Sequence, residues 1–138
     1  MNNCIICKIV KNEISCIKIY EDKDILAILD IRPATKHGGH VLVFPKKHYE
    51  LIIDVPSELL SKTILIIKKL SKALLDFGEG LNVLQNNKMV SGQAIPHVHF
   101  HLIPRFQNDG ITVEKWIANE YKSGEKEKIA SKIKSLLK

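Results

Sequence analysis

Short apolar runs separated by polar turns dominate the first third of the chain. Apolar residues predominate at 17–20 and fill 25–29, and the stretch between them, 21–24, consists of charged residues that favour a turn. The two runs therefore predict a β-hairpin. A third run at 40–44 predicts another strand, which ends at Pro45 because proline has no backbone N–H to donate to a sheet.

The longest helical pattern covers Ser57–Phe77. Pro56 precedes it and Gly78 follows it, which are positions where helices characteristically begin and end. Apolar residues recur at helical spacing along one face, at Leu60, Ile64, Ile67, Leu70 and Leu74. The sequence therefore predicts one long amphipathic helix in the middle of the chain.

Shorter elements complete the pattern. Residues 4–12 predict a short helical stretch, 81–85 a strand, 86–92 a loop and 97–104 a strictly alternating strand. A second amphipathic helix is predicted near the end of the chain, with Ile129, Ile133, Leu136 and Leu137 on one side. We expect that side to pack on the body of the protein or on a second subunit. Because helices do not alternate with strands, the fold class is predicted as α+β with an antiparallel sheet.

Length and composition limit the class of protein. The chain has 138 residues, of which 45% are hydrophobic and 26% charged, which suits one folded domain over residues 1–138. No apolar run approaches the roughly 20 residues of a membrane helix, and the N-terminus does not resemble a signal peptide. We therefore expect a cytoplasmic protein. The net charge of +6 favours an anionic partner without distinguishing a nucleotide from a nucleic acid or a membrane surface.

Three cysteines are present, at positions 4, 7 and 16. A disulfide is not expected in a cytoplasmic protein. Cys4 and Cys7 form a C-x-x-C pair, which is typical of half a metal site or of a redox pair. Redox pairs follow a strand within a βαβ unit, and no strand precedes residue 4, so a metal site is favoured over a redox pair or buried thiols.

The central chemical signal is the alternation of His97, His99 and His101 with apolar residues. Alternate residues of a strand share one face, so we expect the three imidazoles on one face and the core on the other. A metal site made of all three is disfavoured, because the outer two are about 13 Å apart along an extended strand. The alternative divides their roles: one outer histidine joins the cysteine pair in a metal site and the other two act on a substrate. Spacing does not identify the remaining ligands.

The chain resembles the histidine triad (HIT) family of nucleotide hydrolases and transferases, in the zinc-containing bacterial and archaeal type. The resemblance covers residues 4–109, with 110–138 as a C-terminal extension, and is carried by 4–10, 20–22, 29–33, 39–48, 81–87 and 92–105. It implies a five-stranded antiparallel sheet with one long central helix and a C-terminal helix. It also implies a homodimer whose sheets join.

The resemblance implies a mechanism for the triad. His99 would attack the α-phosphorus of a nucleotide and form a covalent nucleotidyl-histidine, which water then hydrolyses. His101 would contact the phosphate, and His40 would lie beside the nucleophile and orient it. The substrate would be a phosphoramidate or a dinucleoside polyphosphate, and we expect it to contain AMP.

The same resemblance implies a structural zinc ion, one per chain, bound by Cys4, Cys7, His48 and His97. In this interpretation His97 is a metal ligand and not a catalyst.

Nucleotide contacts are implied at Asp30, Asn86, Gly92 and Gln93, in addition to His99 and His101. Asp30 would accept hydrogen bonds from the ribose hydroxyls, and the other three would approach the phosphates. The chain departs from the phosphoramidase pattern at Ala94, where a serine hydroxyl is expected. A second departure is the loop at 35–39, which is longer by two residues and contains His37, to which we assign no role.

Two other functions remain open at this stage. One is a zinc-stabilised nucleotide-binding or interaction module with little turnover. The other is a zinc-dependent nucleic-acid binder, which would leave His99 and His101 unexplained. A membrane partner is not expected.

Overall fold

The computed structural model describes residues 3–137, which form an α+β fold around one five-stranded antiparallel sheet. The strands are β1 (Lys18–Glu21), β2 (Ile25–Leu29), β3 (Val41–Pro45), β4 (Gly80–Gln85) and β5 (Phe100–Arg105). They lie in the order β1-β2-β3-β5-β4. The helices are α1 (Ile5–Val10), α2 (Ser57–Phe77) and α3 (Glu125–Leu136). The predicted fold class is confirmed.

The predicted elements correspond to observed ones, with shifts at their ends. The bounds of α2 and β2 agree with the prediction, while β1 and β3 each begin one residue later than predicted. The largest shift concerns β5, which begins at Phe100 and not at residue 97.

Pro45 explains the late start of β5. Strand β3 pairs with β5 from Val41 opposite Leu102 to Val43 opposite Phe100. The ladder stops as it nears Pro45, which has no N–H to offer. The Val98 N–H donates instead to the Tyr49 carbonyl at 2.7 Å. Residues 97–99 therefore leave the sheet.

One face of the sheet is covered by α2. Ile67 and Leu70 of this helix are buried in a cluster that includes Val43 and Phe100. Ile64, predicted on the buried stripe, is 47% exposed, and Thr63 is buried in its stead. The Thr63 hydroxyl donates to the Leu59 carbonyl one turn earlier, so the buried polar group keeps a hydrogen bond.

The opposite face carries α1 and the three histidines. Ile6 and Ile9 of α1 pack with Leu26, Leu42 and Phe44 in a second buried cluster. Side chains alternate between faces along a strand, so His101, which is paired with Leu42, lies on this side. The chemistry-bearing residues therefore lie on the face that α2 leaves free.

The segment after β5 is held by Arg105, whose guanidinium forms ion pairs with Asp109 at 2.8 Å and Glu114 at 2.7 Å. Beyond it, α3 has no buried residue, and the apolar residues predicted on one side of it are exposed. Of the two expected contacts, packing on the body of the same chain is not found in residues 3–137, and packing on a second subunit stays a prediction. Nowhere in residues 3–137 is there a helix with the length and apolarity needed to cross a membrane.

The two-layer packing of α2 on the sheet gives a direct test. Ile67→Ala should lower the free energy of unfolding by about 2–5 kcal/mol, because it removes buried methyl groups and leaves a cavity. Lys68→Ala, at the adjacent exposed position, is the control and should change it by less than about 0.5 kcal/mol. Urea unfolding of both variants measures the difference, and equal losses would contradict the described packing.

Candidate functional site

Four predicted metal ligands come together at one end of the histidine face. The sulfur and ring-nitrogen atoms of Cys4, Cys7, His48 and His97 all lie within 4.8 Å of one another. Cys4 Sγ is 3.5 Å from His97 Nδ1, and Cys7 Sγ is 3.4 Å from His48 Nδ1. Cys4 caps the N-terminus of α1, so this helix presents both thiols from its first turn. Two thiols and two imidazoles are a donor set typical of closed tetrahedral zinc sites.

A backbone carbonyl orients His97 toward the cysteines. His97 Nε2 lies 2.8 Å from the Pro45 carbonyl oxygen, which only accepts hydrogen bonds, so Nε2 carries the proton. The Nδ1 lone pair then faces the two sulfur atoms. Burial lowers the pKa of His97 to about 4, so the imidazole is neutral, as a metal ligand must be. The residues therefore fit a zinc ion.

His99 is also oriented by a hydrogen bond to a backbone carbonyl, but through Nδ1, whereas His97 uses Nε2. Its Nδ1 lies 2.7 Å from the carbonyl oxygen of His97 and must carry the proton. The lone pair of the neutral ring is therefore on Nε2. The side chain is 6% exposed, so this nitrogen lies in a largely desolvated site.

A backbone N–H determines the tautomers of His40 and His101. Ala34 N–H donates to His40 Nδ1 at 3.1 Å, so neutral His40 carries its proton on Nε2. That nitrogen lies 2.9 Å from His101 Nδ1 and donates to it. His101 is then left with its proton on Nε2. His40 was predicted to orient the nucleophile His99, but its hydrogen bond is to His101.

Both histidines of this chain of hydrogen bonds are neutral near pH 7. Burial lowers the pKa of His40, against the opposing effect of the Asp30 carboxylate. Burial, together with the neighbouring imidazoles of His99 and His40, lowers the pKa of His101 to about 4. A neutral His101 keeps a single proton, on Nε2, which is available to an acceptor.

An apolar cleft opens beside Asp30. It has a volume of about 360 Å³ and is lined mainly by aliphatic side chains from α1, β2, β3 and the loop before the triad, among them Ile5, Ile9, Ile28, Leu42 and Ile95. Asp30 Oδ1 accepts from the Arg32 N–H, and its Oδ2 lies 3.8 Å from His40 Nε2. Sequence reasoning missed the cleft. The sequence signal that could have indicated it is the pair Ile5 and Ile9, which lie one helical turn apart on α1 and both line the cleft.

The predicted phosphate-contacting residues lie on one loop, with different roles. In β4, Gln85 is paired with Phe100, so the loop that begins at Asn86 starts at the end of the ladder next to His99. Gly92 has a φ of +99°, and a Cβ there would be 3.3 Å from the Asn86 side-chain amide, so the loop folds back onto Asn86.

Gln93 was predicted to approach the phosphates, but its side chain is buried and engaged. Its amide accepts from the Lys88 N–H at 2.6 Å and donates to the Glu50 carbonyl at 2.7 Å. It therefore bridges two loops, and its backbone N–H also donates to the Lys88 carbonyl at 3.3 Å. His37 is exposed as expected and stacks on Phe106, with the ring centroids 4.3 Å apart.

Comparison with known proteins agrees with this arrangement. Residues 11–108 match the HIT domain family. An uncharacterised HIT-like protein of Methanocaldococcus jannaschii is 46% identical over 112 residues, which are 80% of this chain and 85% of that protein. An adenosine 5′-monophosphoramidase of Saccharomyces cerevisiae is 43% identical over 118 residues, which are 85% of this chain and 72% of the relative.

Solved structures give the same result. A HIT family protein from Bacillus anthracis superposes with a TM-score of 0.86 at 39% identity, covering 99% of each chain. A zinc-bound histidine triad family protein from Mycobacterium smegmatis superposes with a TM-score of 0.73 at 31% identity, covering 85% of each chain. On the domain match, the identities and the fold, this chain belongs to the HIT family.

Proposed function

We propose that this protein is a hydrolase that releases a nucleoside 5′-monophosphate, AMP, through a covalent intermediate on His99. The observation that carries the proposal is that hydrogen bonds determine which ring nitrogen of each triad histidine carries the proton. His99 Nδ1–H is committed to the His97 carbonyl, which leaves the Nε2 lone pair as the nucleophile. His101 Nε2–H is the complementary donor.

In the first step, His99 Nε2 attacks the α-phosphorus of the bound nucleotide. A P–N bond forms, and the bond between phosphorus and the leaving group breaks with its electron pair going to the leaving group. His101 Nε2–H donates to a phosphoryl oxygen and stabilises its charge, as a preorganised donor does. Because His40 fixes the protonation of His101, this donor needs no rearrangement during the reaction.

In the second step, water attacks the same phosphorus. The P–N bond breaks, its electron pair returns to His99 Nε2, and the water proton passes to solvent as the nucleoside monophosphate forms. The imidazole returns to its starting state.

The remaining groups position the nucleotide. The apolar cleft beside Asp30 is suited to a flat purine base, and the Asp30 carboxylate to the ribose hydroxyls. Asn86 and the Gly92 backbone lie at the His99 end, where the phosphates would be bound. The yeast relative named adenosine 5′-monophosphoramidase supports an AMP-containing substrate.

We also propose that Cys4, Cys7, His48 and His97 bind one structural zinc ion. The proximity of the four donors and the Pro45-directed protonation of His97 support it, as does the zinc-bound Mycobacterium smegmatis neighbour. When bound, zinc would cross-link α1 to the segment after β3 and to the first triad residue. It takes no part in the chemical steps.

A homodimer joined through the sheets is the third part of the proposal. Of the two edge strands, β1 contains a register shift and a Lys18–Glu21 ion pair, features that discourage pairing with another strand. The edge at β4 has an exposed apolar Val83, and Leu65 of α2 is also exposed. The β4 edge is therefore the favoured interface.

One alternative is a nucleotide-binding module with little turnover. It is favoured by Ala94, which has only a methyl group where a phosphoramidase would have a hydroxyl. Turnover measurements separate the two functions.

His99→Asn should reduce kcat for adenosine 5′-phosphoramidate by about 10⁴-fold or more, because it removes the nucleophile. His37→Asn, at an exposed histidine, is the control and should retain wild-type turnover. Near wild-type hydrolysis by His99→Asn would refute the assignment. AMP binding by a wild-type protein that cleaves neither this substrate nor diadenosine tetraphosphate would favour the binding module.

Metal analysis tests the zinc proposal independently of activity. The wild-type protein should contain about one zinc per chain, and Cys4→Ser should lose it because a closed site needs all four ligands. Cys16→Ser removes a cysteine outside the cluster and should retain the metal. Zinc retained in Cys4→Ser at the wild-type level would rule out the proposed ligand set.

Sedimentation equilibrium tests the dimer. At micromolar concentration the mass should be about twice the chain mass of 15.6 kDa. A stable monomer at that concentration would contradict the proposed assembly.

A further inference from the structure

Lys88 has a backbone conformation that lysine rarely adopts. Its φ is 70° and its ψ is 156°. This region is almost exclusive to glycine, because a Cβ clashes with the backbone there. A glycine at position 88 would adopt it without strain. Because lysine is strained in this conformation, a role of its side chain would account for its presence there.

The surrounding loop fixes Lys88 from both sides. Its N–H donates to the buried Gln93 side chain at 2.6 Å, and its carbonyl accepts from Ser91 N–H at 3.1 Å and Ser91 Oγ at 2.9 Å. Gln93 is itself fastened to the Glu50 carbonyl. The lysine side chain therefore extends from a point that is held in place.

This point borders the proposed nucleophile. The β4–β5 ladder ends with Gln85 opposite Phe100, so the loop that carries Asn86 and Lys88 begins where the chain enters β5 from His99. The loop then folds back, so that Gly92 lies against Asn86. The Lys88 side chain therefore starts three residues beyond the end of β4, on the loop that begins next to the proposed nucleophile.

The charges around the sheet leave Lys88 available. Lys46 is paired with Glu21, Lys62 with Asp22 and Asp24, and Arg105 with Asp109 and Glu114. The Lys88 ammonium makes no hydrogen bond or ion pair with any group in residues 3–137, and the residue is exposed. His40 and His101 are neutral near pH 7, so they do not supply positive charge.

We infer that Lys88 is a specificity-determining residue whose ammonium stabilises a negatively charged leaving group, so that the enzyme favours phosphoanhydride substrates over phosphoramidates. This inference rests on the proposed nucleotidyl transfer to His99. It names the leaving-group class, which the triad itself does not select.

The bond that breaks explains the preference. When a phosphoanhydride is cleaved, the P–O electron pair stays on the departing phosphate oxygen, which gains negative charge and needs no proton. A lysine ammonium is a mobile point charge suited to that oxygen. When a phosphoramidate is cleaved, the departing amine nitrogen takes up a proton from solvent, and a nearby cation gives it no advantage. The adjacent Ala94 has no exchangeable side-chain proton to give.

The test compares kcat/KM for diadenosine tetraphosphate and adenosine 5′-phosphoramidate in the same variants. Lys88→Gln retains a long side chain without the charge. It should lower kcat/KM for the tetraphosphate about tenfold and change that for the phosphoramidate less than about twofold. The tetraphosphate deficit should shrink at high ionic strength, because salt screens an exposed charge.

Two further variants separate charge from folding. Lys88→Gly relieves the backbone strain, so it should raise Tm while showing the same selective loss on the tetraphosphate. Lys47→Gln removes an exposed lysine that lies over the Tyr49 ring, and it should change neither substrate.

Equal losses on both substrates in Lys88→Gln, or no loss on either, would overturn the inference and leave the proposed function intact. A wild-type protein that cleaves neither substrate, or wild-type turnover by His99→Asn, would overturn both. The two failures are therefore distinguishable.

Discussion

A carbonyl oxygen can only accept a hydrogen bond, and this constraint determines the chemistry of the triad. Two successive histidines each donate to a backbone carbonyl, but through opposite ring nitrogens, His97 through Nε2 and His99 through Nδ1. Their lone pairs consequently lie on different ring nitrogens, one facing the cysteine pair and the other, in the proposed mechanism, facing the substrate. The Ala34 N–H is a donor, so it makes His40 Nδ1 the acceptor and leaves the His40 proton on Nε2. Through the His40–His101 hydrogen bond it also places the His101 proton on Nε2. The backbone thus assigns a different task to each chemically identical side chain.

Pro45 makes this division possible. It ends the β3–β5 ladder, so residues 97–99 leave the sheet, and its carbonyl is free to accept from His97. With the strand interrupted, His97 belongs to the cysteine cluster while His99 and His101 remain neighbours, with ring centroids 4.9 Å apart.

Much of the fold was predictable from local patterns. Proline, glycine and helical periodicity defined α2, and the charged turn defined the first hairpin. The start of β5 was not predictable. Alternation of polar and apolar residues does not reveal that the Val98 N–H donates a hydrogen bond to the Tyr49 carbonyl. The same holds within the site. Residue types and family resemblance indicated the histidines and cysteines, but the bridging role of Gln93 depends on backbone partners at Lys88 and Glu50 that no side-chain pattern identifies.

The loop between Asp30 and His40 has a consequence for how such proteins diverge. Its contribution to the triad is a single backbone N–H, that of Ala34, and a backbone group is present whatever the side chain. Insertions and substitutions elsewhere in the loop therefore leave the protonation of His40 unchanged, provided that one N–H still reaches Nδ1. An exposed position such as Lys36 can therefore be replaced without effect on His40. Changes in this loop can therefore alter the surface near the cleft without changing which ring nitrogen of His40 carries the proton.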